Sequence, residues 1–127
     1  MDEPVIPPKL QRYLMTIARR DGITQLRVAA VVRSRGKLGL VGRGLPYRNV
    51  NGEGIEAAVK ELFSGLGLEC SRVKYIGYVD VEGARQYDFE LESDGVAREL
   101  NLVELHDVKQ VLPRKEARMI LKAVGRA

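Results

Sequence analysis

Ile55, Ala58, Val59, Leu62, Phe63 and Leu66 recur at the spacing of one helical face, with Gly54 before them and Gly65 and Gly67 at their end. A repeat near 3.6 residues fits an amphipathic helix and no strand, and glycine tolerates the left-handed backbone that closes a helix. Such a helix has to bury its apolar stripe against another layer. The flanking segments supply strands for that layer. Gln25 to Arg33 is rich in Val and Ala, Ser34-Arg35-Gly36-Lys37 reads as a turn, and Leu38 to Val41 resumes the apolar run, which makes a hairpin or two adjacent strands. Ser71 to Val81 and Arg85 to Glu92, separated by Glu82-Gly83, predict an antiparallel pair; after a turn at Ser93-Asp94-Gly95, Val96 to Leu105 reads as a further extended segment. Gly42 to Gly54 reads as irregular. Two more helices are expected. One runs from Lys9 to Arg20 behind Pro7-Pro8, and the other is opened by Pro113 with Ala117, Ile120, Leu121 and Val124 on one face. The order αββαβββα places the chain in the α/β class, as a mixed sheet with helices packed on it.

With 127 residues, 45% of them apolar, the chain is the size of one globular domain. A single cysteine, Cys70, excludes an internal disulfide, and with a single histidine, His106, no Cys/His zinc cluster can form. Apolar runs long enough to cross a membrane are missing, and the start Met-Asp-Glu-Pro lacks the basic and then apolar layout of a secretory signal. A cytoplasmic location and no membrane partner are therefore expected. The 21 Lys/Arg are interspersed with 17 Asp/Glu, so the formal charge is only +4. That balance permits an anionic partner without demanding one.

The stretch from Leu45-Pro46 through Gly52-Glu53, Ala57-Ala58-Val59 and Lys60-Glu61-Leu62 to Gly67-Leu68 resembles the Nudix box, the loop-helix-loop of the Nudix hydrolases. Leu40-Val41-Gly42-Arg43 ahead of it, and Val103-Glu104-Leu105 with Leu112-Pro113-Arg114 behind it, resemble the strand, late strand and C-terminal helix of that family. The resemblance spans Leu26 to Val124. It implies a Nudix-like α/β/α sandwich over residues 23–127, preceded by an amphipathic helical segment over residues 1–22. It also implies a diphosphate-linked substrate and a magnesium or manganese ion held by glutamates. Three departures bear on that chemistry. The paired glutamates that are the family's principal metal ligands fall on Ser64 and Gly65, the two glycines after Leu-Pro are Tyr47 and Arg48, and the spacing from Glu53 to Lys60 is one residue short.

Magnesium needs convergent carboxylates to hold and orient it. Glu61 matches the family's remaining glutamate and is the candidate catalytic and metal residue, with an alternative structural role bonding the loop backbone. Glu53 is the second catalytic candidate, or else a carboxylate at the helix N-terminus. Glu56 lies at i, i+4 from Lys60, the spacing of a solvated ion pair. An active hydrolase would have to relocate its metal site onto carboxylates such as Glu53, Glu56, Glu99 or Glu104. His106 beside Asp107 is a weak candidate base, and Cys70 near Arg72 and Lys74 a weak candidate thiolate. Tyr75, Tyr78 and Tyr87 are expected to pack in the sheet, or to offer bases a stacking surface if they face out. The run from Leu26 to Asn51 contains no Asp or Glu yet carries Arg27, Arg33, Arg35, Lys37, Arg43 and Arg48. Arg33, Arg43, Arg48 and Lys60 are the candidate ligand-binding residues. The function expected is a degenerate Nudix-like domain that needs no cofactor and binds a nucleotide, RNA or protein partner without hydrolysing it. A docking role for the N-terminal helix, on a partner or a second copy, is the interaction-module alternative.

Overall fold

The computed structural model describes residues 5–68, 73–92 and 100–124. The chain runs α1 (Pro8–Arg20), β1 (Gln25–Ser34), β2 (Lys37–Leu40), β3 (Tyr47–Asn49), α2 (Ile55–Gly65), β4 (Lys74–Val81), β5 (Ala84–Glu92), β6 (Asn101–Glu104), a 3-10 turn Leu105–Asp107, α3 (Val108–Val111) and α4 (Arg114–Val124). The six strands form one mixed sheet in the order β4-β5-β1-β2-β6, with β3 also paired to β1. Both expected hairpins are present. In each the turn has two residues with positive φ, Arg35-Gly36 and Glu82-Gly83, as tight two-residue connections between twisted strands require.

β1 is the centre of the sheet. It pairs in parallel with β5 from Gln25↔Ala84 to Arg33↔Glu92, and on its other edge it is antiparallel to β3 at residues 27–29 and to β2 at residues 32–34. Successive side chains of a strand point to opposite faces. Val28, Ala30 and Val32 therefore pack with Ile55, Val59 and Phe63 of α2 and with Leu14 of α1, while Ala29 and Val31 pack with Ala117, Ile120 and Val124 of α4.

The structure departs from the sequence reading in two places. Part of the supposedly irregular stretch is β3, which Val28↔Arg48 pairing and the Ala30 N–H to Pro46 C=O bond (2.9 Å) lay against β1. Three residues are too few to show a strand period. The extended segment expected through Leu105 is β6, which stops one residue earlier at Glu104, and the 3-10 turn and α3 that follow were not part of the sequence reading. Val108 and Leu112 recur there at helical spacing and are buried against α4. The expected turn at Ser93-Asp94-Gly95 and the residues Cys70, Arg72 and Glu99 lie outside the described residues.

α2 ends as its glycines foretold. Gly67, at φ +76°, closes a Schellman motif in which its N–H reaches Ser64 C=O and the Leu68 N–H reaches Phe63 C=O. Its start is less local. Gly54 has no side chain to cap with, and Gln11 of α1 supplies the acceptor instead, its Oε1 taking the Glu56 N–H at 2.7 Å. The Glu56 carboxylate in turn accepts from the Ile6 N–H at 3.2 Å. The helical segment at the N-terminus is thus joined to the same core, with Ile6 and Leu14 buried and the Tyr87 hydroxyl donating to Leu14 C=O at 2.7 Å. Replacing Gln11 by Ala should cost roughly 1 kcal/mol, as loss of a helix cap does; chemical denaturation of the two proteins measures the difference.

Candidate functional site

Leu45 and Pro46 are buried, and they deliver Tyr47 and Arg48 to the rim of the sheet beside the second half of α2. A cavity of about 440 Å³ lies there, walled by Val41, Leu45, Pro46, Tyr47 and Arg48 on the loop side and by Glu61, Leu62 and Gly65 on the helix side. Arg48 shares the face of its partner Val28, the α2 face, and its guanidinium forms an ion pair with the Glu61 carboxylate; both side chains are about half exposed. Glu61 is thus tied to the loop through the Arg48 side chain rather than through the loop backbone.

The other sequence candidates disperse. Arg43 is exposed on the turn between Val41 and Gly44, two residues that line the cavity, and is not itself one of its walls. Lys60 pairs with Glu56 at 3.4 Å, as the i, i+4 spacing foretold, and does not line the cavity. Arg33 lies on the α4 face, where it donates to the Val124 C=O at 3.3 Å and pairs with Glu90 at 3.7 Å. Glu53 is exposed, and the bond at the start of α2 comes from Gln11. Glu104 pairs with Lys37 across β2 and β6 at 3.4 Å. His106 is exposed beside Asp107. Tyr87 is buried, with Tyr75 and Tyr78 set edge-on to it at 6.1 and 6.2 Å.

The donors around this cavity do not suit a magnesium ion. Ser64 and Gly65 bring no charge, Glu61 has a guanidinium as its counter-ion, and among the described residues no three of His, Cys, Asp and Glu are grouped to hold a metal.

On the α4 face the sheet carries a buried polar network that sequence reasoning missed. Gln86, opposite Arg27 in the β1–β5 register, accepts from Arg27 Nε at 2.8 Å and donates through its amide nitrogen to Asp88 at 2.9 Å and to Glu116 of α4 at 2.7 Å. All of the amide's bonding capacity toward these neighbours is used, which dictates its orientation. Arg27 also lies over the Tyr47 ring, 4.3 Å from its centroid. The sequence hint was the alternation of β5, where Gln86, Asp88 and Glu90 share one face and would have to meet a polar partner.

Burial pushes the Asp88 carboxyl up to about 8, with the nearby Glu116 charge adding to it and the Gln86 hydrogen bond and Arg27 opposing it. Burial raises Glu116 in the same direction. A carboxyl raised in the folded state holds its proton there at a pH where the unfolded chain has lost it, so stability falls as pH rises from about 4 and levels off above about 8. Asp88→Asn should remove most of that slope, so that the variant gains stability over the parent toward pH 8. Thermal unfolding at pH 5 and pH 8 checks the sign.

No protein-family model matches the sequence, and no curated protein does. Among solved structures the chain is similar to the Nudix domain of Shewanella oneidensis NrtR, complexed with ADP ribose, at 18% identity and a TM-score of 0.63 over 95% of this chain and 99% of that one. It is similar to the MutT protein of Bacillus halodurans at 13% identity and a TM-score of 0.59, over 76% and 79% of the two chains. A provisionally assigned oxidoreductase from Sinorhizobium meliloti 1021 matches at 20% identity and a TM-score of 0.62, over 94% of this chain and 44% of that one, so this chain spans under half of that protein's length. The shared feature is the mixed sheet held between helices. This chain has the fold of the Nudix hydrolases.

Proposed function

We propose that this Nudix-fold domain binds the phosphates of a nucleotide-type anion in the cavity between the Tyr47–Arg48 loop and α2, and does not hydrolyse it. The observation that carries the reading is the Arg48–Glu61 ion pair. At a position where the resemblance implies glycine, the chain has an arginine whose guanidinium presents a planar fork of donors suited to phosphate oxygens. Glu61, the one carboxylate left on that side of α2, serves as its counter-ion. An arriving phosphate takes over the guanidinium and displaces the carboxylate, and Arg43, on the adjoining turn, adds a second positive charge nearby. The complex of ADP ribose with the NrtR Nudix domain is consistent with a nucleotide diphosphate fitting this fold.

Hydrolysis would call for a relocated metal site, and the two readings give Glu61 opposite signs. If Glu61 competes with the ligand for Arg48, then Glu61→Gln tightens anion binding severalfold. If Glu61 holds a metal, the same change weakens metal-dependent binding and abolishes turnover.

The expected results in calorimetric titrations with inorganic pyrophosphate, run with and without magnesium, are as follows. Arg48→Gln weakens binding about tenfold or more, the size of one charge-assisted hydrogen bond. Glu61→Gln strengthens it, and Arg19→Gln/Arg20→Gln, which removes two charges from the end of α1, changes it little. Affinity falls as salt rises, because exposed charges are screened within about 8 to 10 Å. Equal losses in the Arg48 and the Arg19/Arg20 variants would discard the cavity, and magnesium-dependent release of phosphate lost in Glu61→Gln would establish the hydrolase instead.

A further inference from the structure

The side that α1 turns to solvent carries Lys9, Arg12, Tyr13, Thr16, Arg19 and Arg20, all exposed, and no carboxylate. At 3.6 residues per turn these six fall within about a third of the helix circumference. The opposite side is given to the core, with Leu14 and Ala18 buried and Leu10 and Met15 packed against the α2-side cluster.

Helix stability does not account for this distribution. The helix dipole favours carboxylates in the first turn and cations in the last. α2 and α4 follow that rule, with Glu56 and Glu116 in their first turns, whereas the first turn of α1 has no acid and carries Lys9. Lys9 and Arg12, three residues apart, are also like charges on neighbouring positions. Nor does the rest of the fold neutralise the stripe. Asp21, just past the helix, accepts from Arg85 at 3.0 Å and lies 3.6 Å from Arg20. Glu56 is taken by Lys60 and the Ile6 N–H, and Glu61 by Arg48. Lys9, Arg12 and Arg19 have no ion-pair partner among the described residues.

From Lys9 to Arg20 the cations span about 16 Å along the helix axis, a stripe complementary to a polyanion. Three of the four are arginines, whose planar donors match phosphate oxygens. Between the two ends of the stripe stands Tyr13, 57% exposed. An open aromatic ring among cations matches the flat faces of unpaired bases, which neither an anionic lipid surface nor a run of acidic side chains supplies. Seating on a membrane would also need apolar residues beside the cations, and those of α1 are turned into the core.

We infer that the solvent side of α1 is a docking surface for single-stranded nucleic acid, with Lys9, Arg12, Arg19 and Arg20 on its phosphates and a base against the Tyr13 ring. Contacts to backbone charge and to the face of a base carry little sequence information, so binding there is sequence-tolerant. None of these residues lines the cavity at Arg48, and the surface does not depend on anion binding in that cavity. α4 offers a matched comparison. Arg114, Lys115, Arg118 and Lys122 are exposed as well, but Lys115 and Lys122 border hollows that also contain Asp80 and Glu90, and α4 has no aromatic residue.

The test is fluorescence anisotropy of a short labelled single-stranded oligonucleotide of mixed sequence, titrated with the full chain at several salt concentrations. The logarithm of the affinity is expected to fall linearly with that of the salt, with a slope near 3, about 0.7 for each of four neutralised phosphates. Replacing Lys9, Arg12, Arg19 and Arg20 by Gln should remove most of that slope, and replacing the four α4 cations by Gln should leave it nearly unchanged. Tyr13→Leu should weaken binding about tenfold at an unchanged slope, as loss of one stacked base does, and Tyr13→Phe should bind as the parent. The duplex of the same sequence should bind more weakly, because its bases are already stacked on one another. All the replaced side chains are exposed, and matching thermal unfolding curves would establish that the variants stay folded. No binding at low salt, equal losses in the α1 and α4 variants, a Tyr13→Leu variant that binds as the parent, or phosphatidylserine vesicles held as tightly as the oligonucleotide would each overturn the inference.

Discussion

The hydrogen bonding of β1 on both of its edges is the constraint on which the other features depend. Its five central residues, Val28 to Val32, are all buried, and they are the wall between two separate cores. A strand in that position can be satisfied only by neighbours on each side, here β5 in parallel and β2 with β3 antiparallel. Because side chains alternate, the same pairing that closes the sheet also sorts the cations of β1 and its partners between two faces. Arg27 and Arg33 go to the α4 side, and Arg48, through its register with Val28, goes to α2.

That sorting decides the chemistry of the cavity. An arginine on the α2 side of β3 meets the only carboxylate that this part of α2 presents, so the site has a cation and its counter-ion where a metal site would need several carboxylates. The change is one of kind. Carboxylates around a metal attract the ion and, through it, a phosphate. A guanidinium offers planar donors to an anion directly.

The α4 side shows the reverse situation, with two carboxyls buried, Asp88 completely and Glu116 nearly so. Their protons are held more tightly than in the unfolded chain, and a glutamine amide arbitrates between them and Arg27. A buried network fully satisfied is rigid, and one oxygen short of satisfied, as Asp88 is, it costs stability. What the network holds in place is an arginine against an exposed tyrosine at the mouth of the cavity. Both faces of the sheet thus converge on the short edge strand β3, which sequence periodicity could not reveal.

The sequence by itself determined the elements whose cause is local. The stripe and glycines of α2, the two X-Gly hairpin turns, the Pro113 start of α4 and the uncharged residues Ser64 and Gly65 late in α2 can all be read within a few residues of where they act. The Glu56–Lys60 pair belongs to the same class, because helical spacing alone brings the two together. Only the tertiary structure decided which charges meet. The acid-free run from Leu26 to Asn51 looks like one positive surface, yet Lys37 finds Glu104, Arg33 finds Glu90, Arg27 finds Gln86 and Arg48 finds Glu61. Arg27 and Gln86 are 59 residues apart, and Arg33 and Val124 are 91 apart. Partners at such separations are set by strand order and register, which pattern and composition leave open, and the cap that Gln11 places on α2 is of the same origin. The physical reason is the reach of each force: backbone propensity and side-chain period act over one or two turns, whereas an ion pair depends on where the whole chain has placed its other half.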